Sequence, residues 1–283
     1  MKKSLLLFIP ILLGSALFLN YNLTIYTPPE VIFQHSQKSI FKEIEFSSYW
    51  QCYQNPAAPT TLNKRFRLLN WNIHKGEDSG WQKDLKAFAE TADFILLQEA
   101  ISGQQIPERL SHFDSFLHIF AFQYQQQKSG ILNLSQLDTE RYCLNSAKEP
   151  LIRLPKLMSA MYFPFENGKS LLVINVHLIN FDWTNHSYQT QLDSLKELIQ
   201  QHQGAVILAG DFNTWNEKRK TKLFQLTNEL NLTEVEITPD HRITVFGYPL
   251  DYIFTRDIIV HSTKSYMVKS SDHNPLELDF SLK

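Results

Sequence analysis

The chain has 283 residues, 43% hydrophobic and 20% charged, with 27 basic residues against 29 acidic ones and a formal net charge of −2. That composition excludes a disordered chain and leaves about one ordinary-to-large globular domain. It also excludes a protein that grips nucleic acid by global charge alone, but not a nuclease whose bound cations supply local positive charge.

Lys2 and Lys3 precede an uncharged run, residues 4–19, rich in Leu, Ile and Phe. A short charged start and a long apolar stretch read, over 1–22, as a signal peptide or an N-terminal membrane anchor. The run lies near the lower limit of the roughly 17–25 residues that span a bilayer. In both cases the positive-inside rule puts the bulk of the chain outside the cytoplasm, exported or membrane-anchored. Residues 23–64, with Pro28-Pro29 and the segment 55–59, predict an irregular connecting segment. The chain has two cysteines, Cys52 and Cys143. In an exported protein they either pair or sit as two small apolar residues. No Cys/His cluster accompanies them, which excludes a structural zinc site.

From Phe66 onward the pattern becomes orderly, and a folded domain over residues 65–283 is expected. Residues 67–73 form a strand candidate. Residues 82–92 carry Leu85, Phe88 and Ala89 at helical spacing, and 94–97 is a short buried strand. Residues 158–163 and 171–176 read as two strands joined by the Asn167-Gly168 turn. Residues 187–203 show Leu192, Leu195, Leu198 and Ile199 on one helical face. Residues 205–209 form a buried strand and 218–230 a charged helix. Short strands, including 250–254 and 276–280, complete the chain. Hairpins mixed with strand–helix alternation predict mixed sheets flanked by helices.

Polar residues stand at the ends of several of these apolar runs. Glu99 follows 94–98, and a carboxylate at the tip of a buried strand needs a partner or a cation. Asp211 and Asn213 follow Gly210, two oxygen-bearing side chains on one side of an extended segment. Asp251 lies in the apolar setting 250–254, and Asp272-His273 closes the chain just before its last apolar run. Adjacent side chains in an extended segment point to opposite sides, so one can face a cation while the other reaches a phosphate. Asp251 paired with an imidazole would orient it and raise its basicity, which suits activation of water. His177 ends the run 171–176 and offers a second imidazole. Standing alone, Asn72, Glu99, Asp211 or His177 each reads as an ordinary strand-end or turn residue.

Taken together, these fragments in this order closely resemble the endonuclease/exonuclease/phosphatase superfamily, the DNase I-like group. Trp71-Asn72-Ile73, Leu97-Gln98-Glu99-Ala100, Asn175-Val176-His177 and Ser271-Asp272-His273-Asn274-Pro275 look closest to a poorly characterised bacterial subfamily. The resemblance spans about residue 65 to the C-terminus. It implies an α/β (α+β) fold, a four-layer sandwich of two mixed β-sheets packed face to face with flanking helices. By that resemblance Asn72, Glu99 and Asp272 are metal-side residues, and Asp211 and Asn213 help bind metal and phosphate and orient the nucleophile. Asp251 matches the aspartate paired to the catalytic histidine, His273 matches that histidine, and His177 matches an additional one. Lys148-Glu149-Pro150 resembles an Arg-Glu-Pro segment with Lys in place of Arg. Lys loses the bidentate fork, so Arg153 is a substitute phosphate contact for Lys148.

The expected chemistry is in-line attack by water on a phosphodiester. His273, held by Asp251, takes the water proton. Mg²⁺ (Mn²⁺ and Ca²⁺ being alternatives) polarises a phosphoryl oxygen. His177 binds the phosphate or protonates the leaving oxygen. The absence of Gly-x-Ser-x-Gly and of Gly-x4-Gly-Lys-Ser/Thr excludes an elbow-type serine hydrolase and a P-loop enzyme. His177 and Glu149-Pro150 favour a nucleic acid substrate. The apolar run 4–19, with its expected membrane association, and aromatics such as Phe181 and Trp183 favour a phospholipid. A catalytically inactive, membrane-tethered binding module is the non-enzyme alternative. The chain reads as a monomer.

Overall fold

The computed structural model describes residues 21–35, 40–55, 60–61 and 64–283. Residues 1–20, which hold nearly all of the expected signal or anchor, lie outside them. Among the described residues no helix is long and apolar enough to cross a membrane.

Two large sheets form the molecule. The first has seven strands in the order β1 (Leu23–Gln34), β6 (Ser115–Tyr124), β7 (Gln127–Ser135), β5 (Phe94–Ile101), β4 (Phe66–Asn72), β17 (Leu276–Leu282) and β16 (Ile258–Ser265). The second has eight, in the order β12 (Thr233–Glu234), β15 (Asp251–Arg256), β11 (Ala205–Asp211), β10 (Ser170–His177), β9 (Pro155–Pro164), β8 (Arg141–Lys148), β3 (Gln51–Gln54) and β2 (Lys42–Ile44). A two-stranded hairpin, β13 (Thr244–Val245) with β14 (Tyr248–Pro249), stands apart. Both large sheets are mixed. β4 and β5 run parallel, as do β10 and β11, and their other neighbours are antiparallel.

Side-chain alternation along the strands sets the layers. Phe66, Leu68, Phe94 and Leu96 face Met161, Phe163, Val173 and Ile207 in one core between the sheets. The alternate residues of the second sheet, among them Leu172, Ile174, Val206 and Leu208, pack outward against helices α2 (His186–Gln200) and α3 (Glu217–Glu229). Outward residues of the first sheet, including Leu69, Trp71, Ile95 and Leu97, pack against α1 (Trp81–Ala89). The result is helix, sheet, sheet, helix, the four-layer sandwich that the sequence implies. Strands buried on both faces read as continuous apolar runs, which is why 94–97 and 205–209 stand out.

The segment 23–64 differs from the irregular connection expected of it. Among its described residues three strands border both sheets: β1 pairs with β6, and β2 and β3 extend the second sheet beyond β8. Pro28 and Pro29 sit where the β1–β6 register shifts, between Ile25 and Glu30, and an edge strand tolerates proline there. Cys52 and Cys143 are register partners on β3 and β8 and are joined as a disulfide. β5 also runs longer than expected, across a bulge at Glu99.

Candidate active site

Three site residues are neighbours in one row of the second sheet. His177 on β10 is the register partner of Asp211 on β11, and Asp211 is in turn the partner of Asp251 on β15. They continue the inward-facing series that includes Val173, Ile207, Ala209 and Ile253, so the period-2 rule aims all three at the opposing sheet. Gly210 precedes Asp211 with φ +145°, and a Cβ there would meet the Val176 carbonyl oxygen at 2.0 Å. Only glycine lets β11 lie this close to β10 just before the carboxylate.

The first sheet supplies Asn72 and Glu99. Asn72 ends β4, and its Nδ2 donates to Asp211 Oδ2 at 3.3 Å, across the gap between the sheets. Glu99 sits at the β5 bulge with φ +57°. Bulges re-aim side chains, and this one brings Glu99 Oε1 to 3.9 Å from His177 Nε2. The loop after β4 turns sharply through positive φ at His74 and Lys75. That turn places Lys75 Nζ 2.8 Å from Glu99 Oε2.

Beneath these residues lies a buried layer of amides. Gln98 Nε2 donates to Asn70 Oδ1 at 2.9 Å and to Asn175 Oδ1 at 2.7 Å. Asn175 Nδ2 donates to Asn133 Oδ1 at 2.7 Å, and Asn133 Nδ2 to Ser159 Oγ at 2.6 Å. A buried network of this kind rigidifies what it supports. It ties β4, β5, β7, β9 and β10 together two residues below Asn72 and His177.

Asp211 is the centre of the cluster. Its Oδ2 lies 3.5 Å from His177 Nε2 and 4.0 Å from His273 Nε2. Its Oδ1 accepts the Asn213 backbone N–H at 2.9 Å, and Asn213 Nδ2 reaches both Asp211 Oδ2 (3.3 Å) and the Leu178 carbonyl (3.0 Å). Burial raises the Asp211 carboxyl above the usual range, against the pull of His273 and His177. His273 comes from the loop before β17, and its Nδ1 lies 2.6 Å from Asp251 Oδ2. Burial opposes its charge, yet Asp251, Asp211 and Asp272 overcome this and push its pKa up to about 10. His177 is the opposite case: burial, reinforced by Lys156, pushes it down to about 4. Burial also works against the Glu99 charge, but His177, Lys156 and Lys75 hold its carboxyl at about 2. Burial therefore favours the neutral ring at His177, neighbouring positive charge favours the ionised Glu99, and Asp251 stabilises a proton on His273 once the ring has taken one.

Asn72, Glu99, His177, Asp211, Asn213, Asp251 and His273 thus converge. Asp272 stands at the rim, exposed, with its Oδ1 3.8 Å from His74 Nδ1. Lys148 and Arg153 are exposed and do not line the cleft beside Glu99 and His177. Lys156 occupies that place, with Nζ 2.5 Å from His177 Nε2. Glu149 of the same loop turns inward, and its Oε1 accepts the Asn180 N–H at 2.7 Å, so Lys148 and Arg153 are left facing solvent on either side. Lys75, Lys156 and the amide layer escaped the sequence reading. Charged residues next to loops read as solvated. The amides did leave a signal, since Asn70, Gln98 and Asn175 break the inward apolar alternation two residues or fewer before a site residue.

Mg²⁺ asks for hard oxygen ligands and commonly keeps several waters, taking only one or two carboxylates from the protein. Glu99 and the Asn72 carbonyl oxygen meet that demand, with Asp272 at the rim. Among the described residues no three His, Cys, Asp or Glu side chains form a ready cage, and Lys75 now balances Glu99. The donor set fits a partly hydrated hard cation that displaces the lysine.

A sandwich of two mixed sheets with acidic and imidazole groups gathered between the strand ends defines the DNase I-like class of fold. The profile of the Endonuclease/Exonuclease/phosphatase family matches residues 69–273, and the chain belongs to that family. Membership places it among phosphoesterase-type hydrolases. A UPF0294 protein of Vibrio parahaemolyticus is 38% identical over 224 residues, covering 78% of this chain and 79% of its own. A UPF0294 protein of Yersinia enterocolitica is 36% identical over 229 residues, covering 80% and 87%. Among solved structures, an endonuclease/exonuclease/phosphatase from Beutenbergia cavernae aligns with a TM-score of 0.59 at 15% identity, over 77% of this chain and 72% of that one. D. rerio TDP2 complexed with single strand DNA product aligns at 0.53 and 14% identity, over 77% and 99%. A mannosyl-6-phosphatase of Bacteroides thetaiotaomicron aligns at 0.56 and 16%, over 76% and 99%. These structures share the fold.

Proposed function

We propose that the protein is a divalent-metal-dependent phosphodiesterase in which water attacks the phosphorus directly. The observation that carries this reading is the position of Asp211, whose Oδ2 lies within 4.0 Å of both His177 and His273 and accepts from Asn72 of the opposite sheet. His273 takes the proton of the attacking water, and Asp251 stabilises the imidazolium that forms. The neighbouring Asp251, Asp211 and Asp272 raise the His273 pKa and so favour that product. Asn213 holds Asp211 in place. With burial pushing its pKa down, His177 would bind the phosphate rather than protonate it, and Lys156, which donates to its Nε2, would supply the proton of the leaving oxygen. Lys75 and Lys156 offset phosphate charge where Lys148 and Arg153 do not reach. A bound Mg²⁺, or Mn²⁺ or Ca²⁺, held by Glu99 and Asn72 with Asp272 alongside, would polarise a phosphoryl oxygen and neutralise developing charge.

Nucleic acid is the substrate class expected from the resemblance, and TDP2 in its complex holds a single strand DNA product. A phospholipid headgroup is the second reading. One observation favours it: the cleft of about 250 Å³ beside Glu99 and His177 is lined by Phe122, Ile131, Ile152, Leu154, Leu157 and Phe181. The test is the full chain with each metal, or with chelator, against plasmid DNA, RNA and vesicles containing sphingomyelin or phosphoinositides. Metal-dependent cleavage of one of these, lost in His273→Ala, supports the reading. No cleavage of any diester would favour an inactive binding module.

A further inference from the structure

Four large apolar side chains are exposed on two loops that border the candidate cleft, and two of them, Ile152 and Phe181, line it. Leu151 (69% exposed) and Ile152 (45%) lie on the loop after β8, and Phe181 (43%) and Trp183 (64%) on the loop after β10. Soluble surfaces carry such residues singly; a cluster marks an interaction site. The two loops form one rim, because Glu149 Oε1 accepts the Asn180 N–H, and Ile152 and Phe181 line the same cleft. The rim is held rigid from behind. Arg219, fully buried, donates to the carbonyls of Ile179, Asn180 and Asp182 and to Asn185 Oδ1. An apolar tip kept exposed by a buried guanidinium is built outward, not collapsed by chance. Lys148 and Arg153 flank the tip, both exposed.

The start of the described chain lies at the same end. Ile25 pairs with Phe122, a lining residue of the cleft, and Leu23 pairs with Tyr124 at the β6–β7 turn. β7 then runs back beside the end of β5, where Ser129 is the partner of Ile101, two residues past Glu99. The described chain therefore enters the first sheet beside the cleft, and the apolar run 4–19 precedes that entry in sequence. The residues 20–25 that separate Leu19 from the Phe122 pairing span at most about 20 Å.

From this placement we propose that the 149–154 and 178–185 loops dock on a phospholipid bilayer and present the cleft to a lipid phosphodiester at its surface. The apolar tips enter the headgroup–acyl boundary, while Lys148 and Arg153 meet anionic headgroups, the pairing of apolar and basic groups that interfacial segments use. An anchor in residues 4–19 would hold this end of the sheet close to the lipid. This deepens the lipid reading of the site and rests on it for the reaction, but not for the contact.

The test is emission quenching, which needs no turnover. The full chain is reconstituted in phosphatidylglycerol/phosphatidylethanolamine vesicles whose acyl chains carry bromine close to the headgroup. The other four tryptophans are buried or half-buried, so Trp183 dominates the contact signal. We expect bromolipid to quench the native protein and most of that quenching to vanish in Trp183→Phe. Leu151→Trp in the Trp183→Phe background should restore it. Equal quenching with and without Trp183, or no quenching from position 151, would overturn the proposal. So would an emission change on adding single-stranded DNA with no bromolipid effect, which would assign the rim to base stacking. Hydrolysis of a soluble diester is measured separately, so failure of the contact and failure of the chemistry are told apart.

Discussion

His273 Nδ1 lies 2.6 Å from Asp251 Oδ2, although the two residues come from different elements and from opposite sheets' ends. The contact makes the imidazole a product-stabilised proton acceptor, and the consequences are measurable.

Removing the Asp251 charge should move the pH–rate profile. Asp251 favours the protonated ring, so Asp251→Asn lowers the His273 pKa. A base must be neutral to act, so the rising limb shifts to lower pH while the plateau falls by about 10²–10⁴-fold. A profile measured on a soluble diester checks this. An unmoved limb contradicts the role of His273 as base.

Acid should weaken the fold before it weakens the carboxylates. Burial pushes His202 down to about 4 and His118 to about 3. The unfolded chain protonates these rings near 6.5. Their contribution is therefore complete above about pH 6.5 and is lost progressively as the pH falls below it. For His202 the loss has an upper bound of about 3.5 kcal/mol, at roughly 1.4 kcal/mol per unit. Urea unfolding at several pH values should show the slope, and His202→Gln should flatten it. An equal slope in the variant would count against this account.

Arg219 makes five hydrogen bonds, to Asn185 Oδ1 and to the carbonyls of Ile179, Asn180, Asp182 and Asn213, and lies over the Tyr188 and Trp215 rings. Arg219→Leu leaves buried carbonyls without donors and should cost about 3 kcal/mol or more. Arg219→Lys keeps charge but not the fork and should fall between. Thermal unfolding of the three proteins checks the order; a Leu variant as stable as native would refute it.

The Cys52–Cys143 disulfide closes a 91-residue separation. On the chain-entropy view a loop of that size stabilises by about 4–5 kcal/mol. The double Cys→Ser protein should unfold at clearly lower denaturant, with β2 and β3 losing amide protection first. Uniform protection would contradict the idea that the bridge holds this edge.

What the sequence revealed and what it hid follow from the same rule. Glu99, His177, Asp211 and Asp251 were legible because each interrupts or ends an apolar run, and strand alternation then aims it. β1 was not legible: paired prolines read as irregular, yet an edge strand accommodates them at a register shift. Lys156 was hidden because a cation beside a loop reads as solvated, while its ammonium actually turns onto His177. Lys148 follows from the likeness of one tripeptide and Arg153 only from its nearness to that tripeptide, and the inward turn of Glu149 leaves both outside the cleft. The rim formed by Phe181 and Trp183 shows only once Arg219, far along the chain, is seen to hold it open.

The most direct test is the rate of p-nitrophenol release from bis(p-nitrophenyl) phosphate by the native chain and by Asp211→Asn, both shown to be folded, with Mg²⁺ and with chelator. We predict metal-dependent release by the native protein and a loss of about 10³-fold or more in the variant, the scale set by removing one preorganised group. Undiminished release by Asp211→Asn would contradict a hydrolytic centre built around that carboxylate.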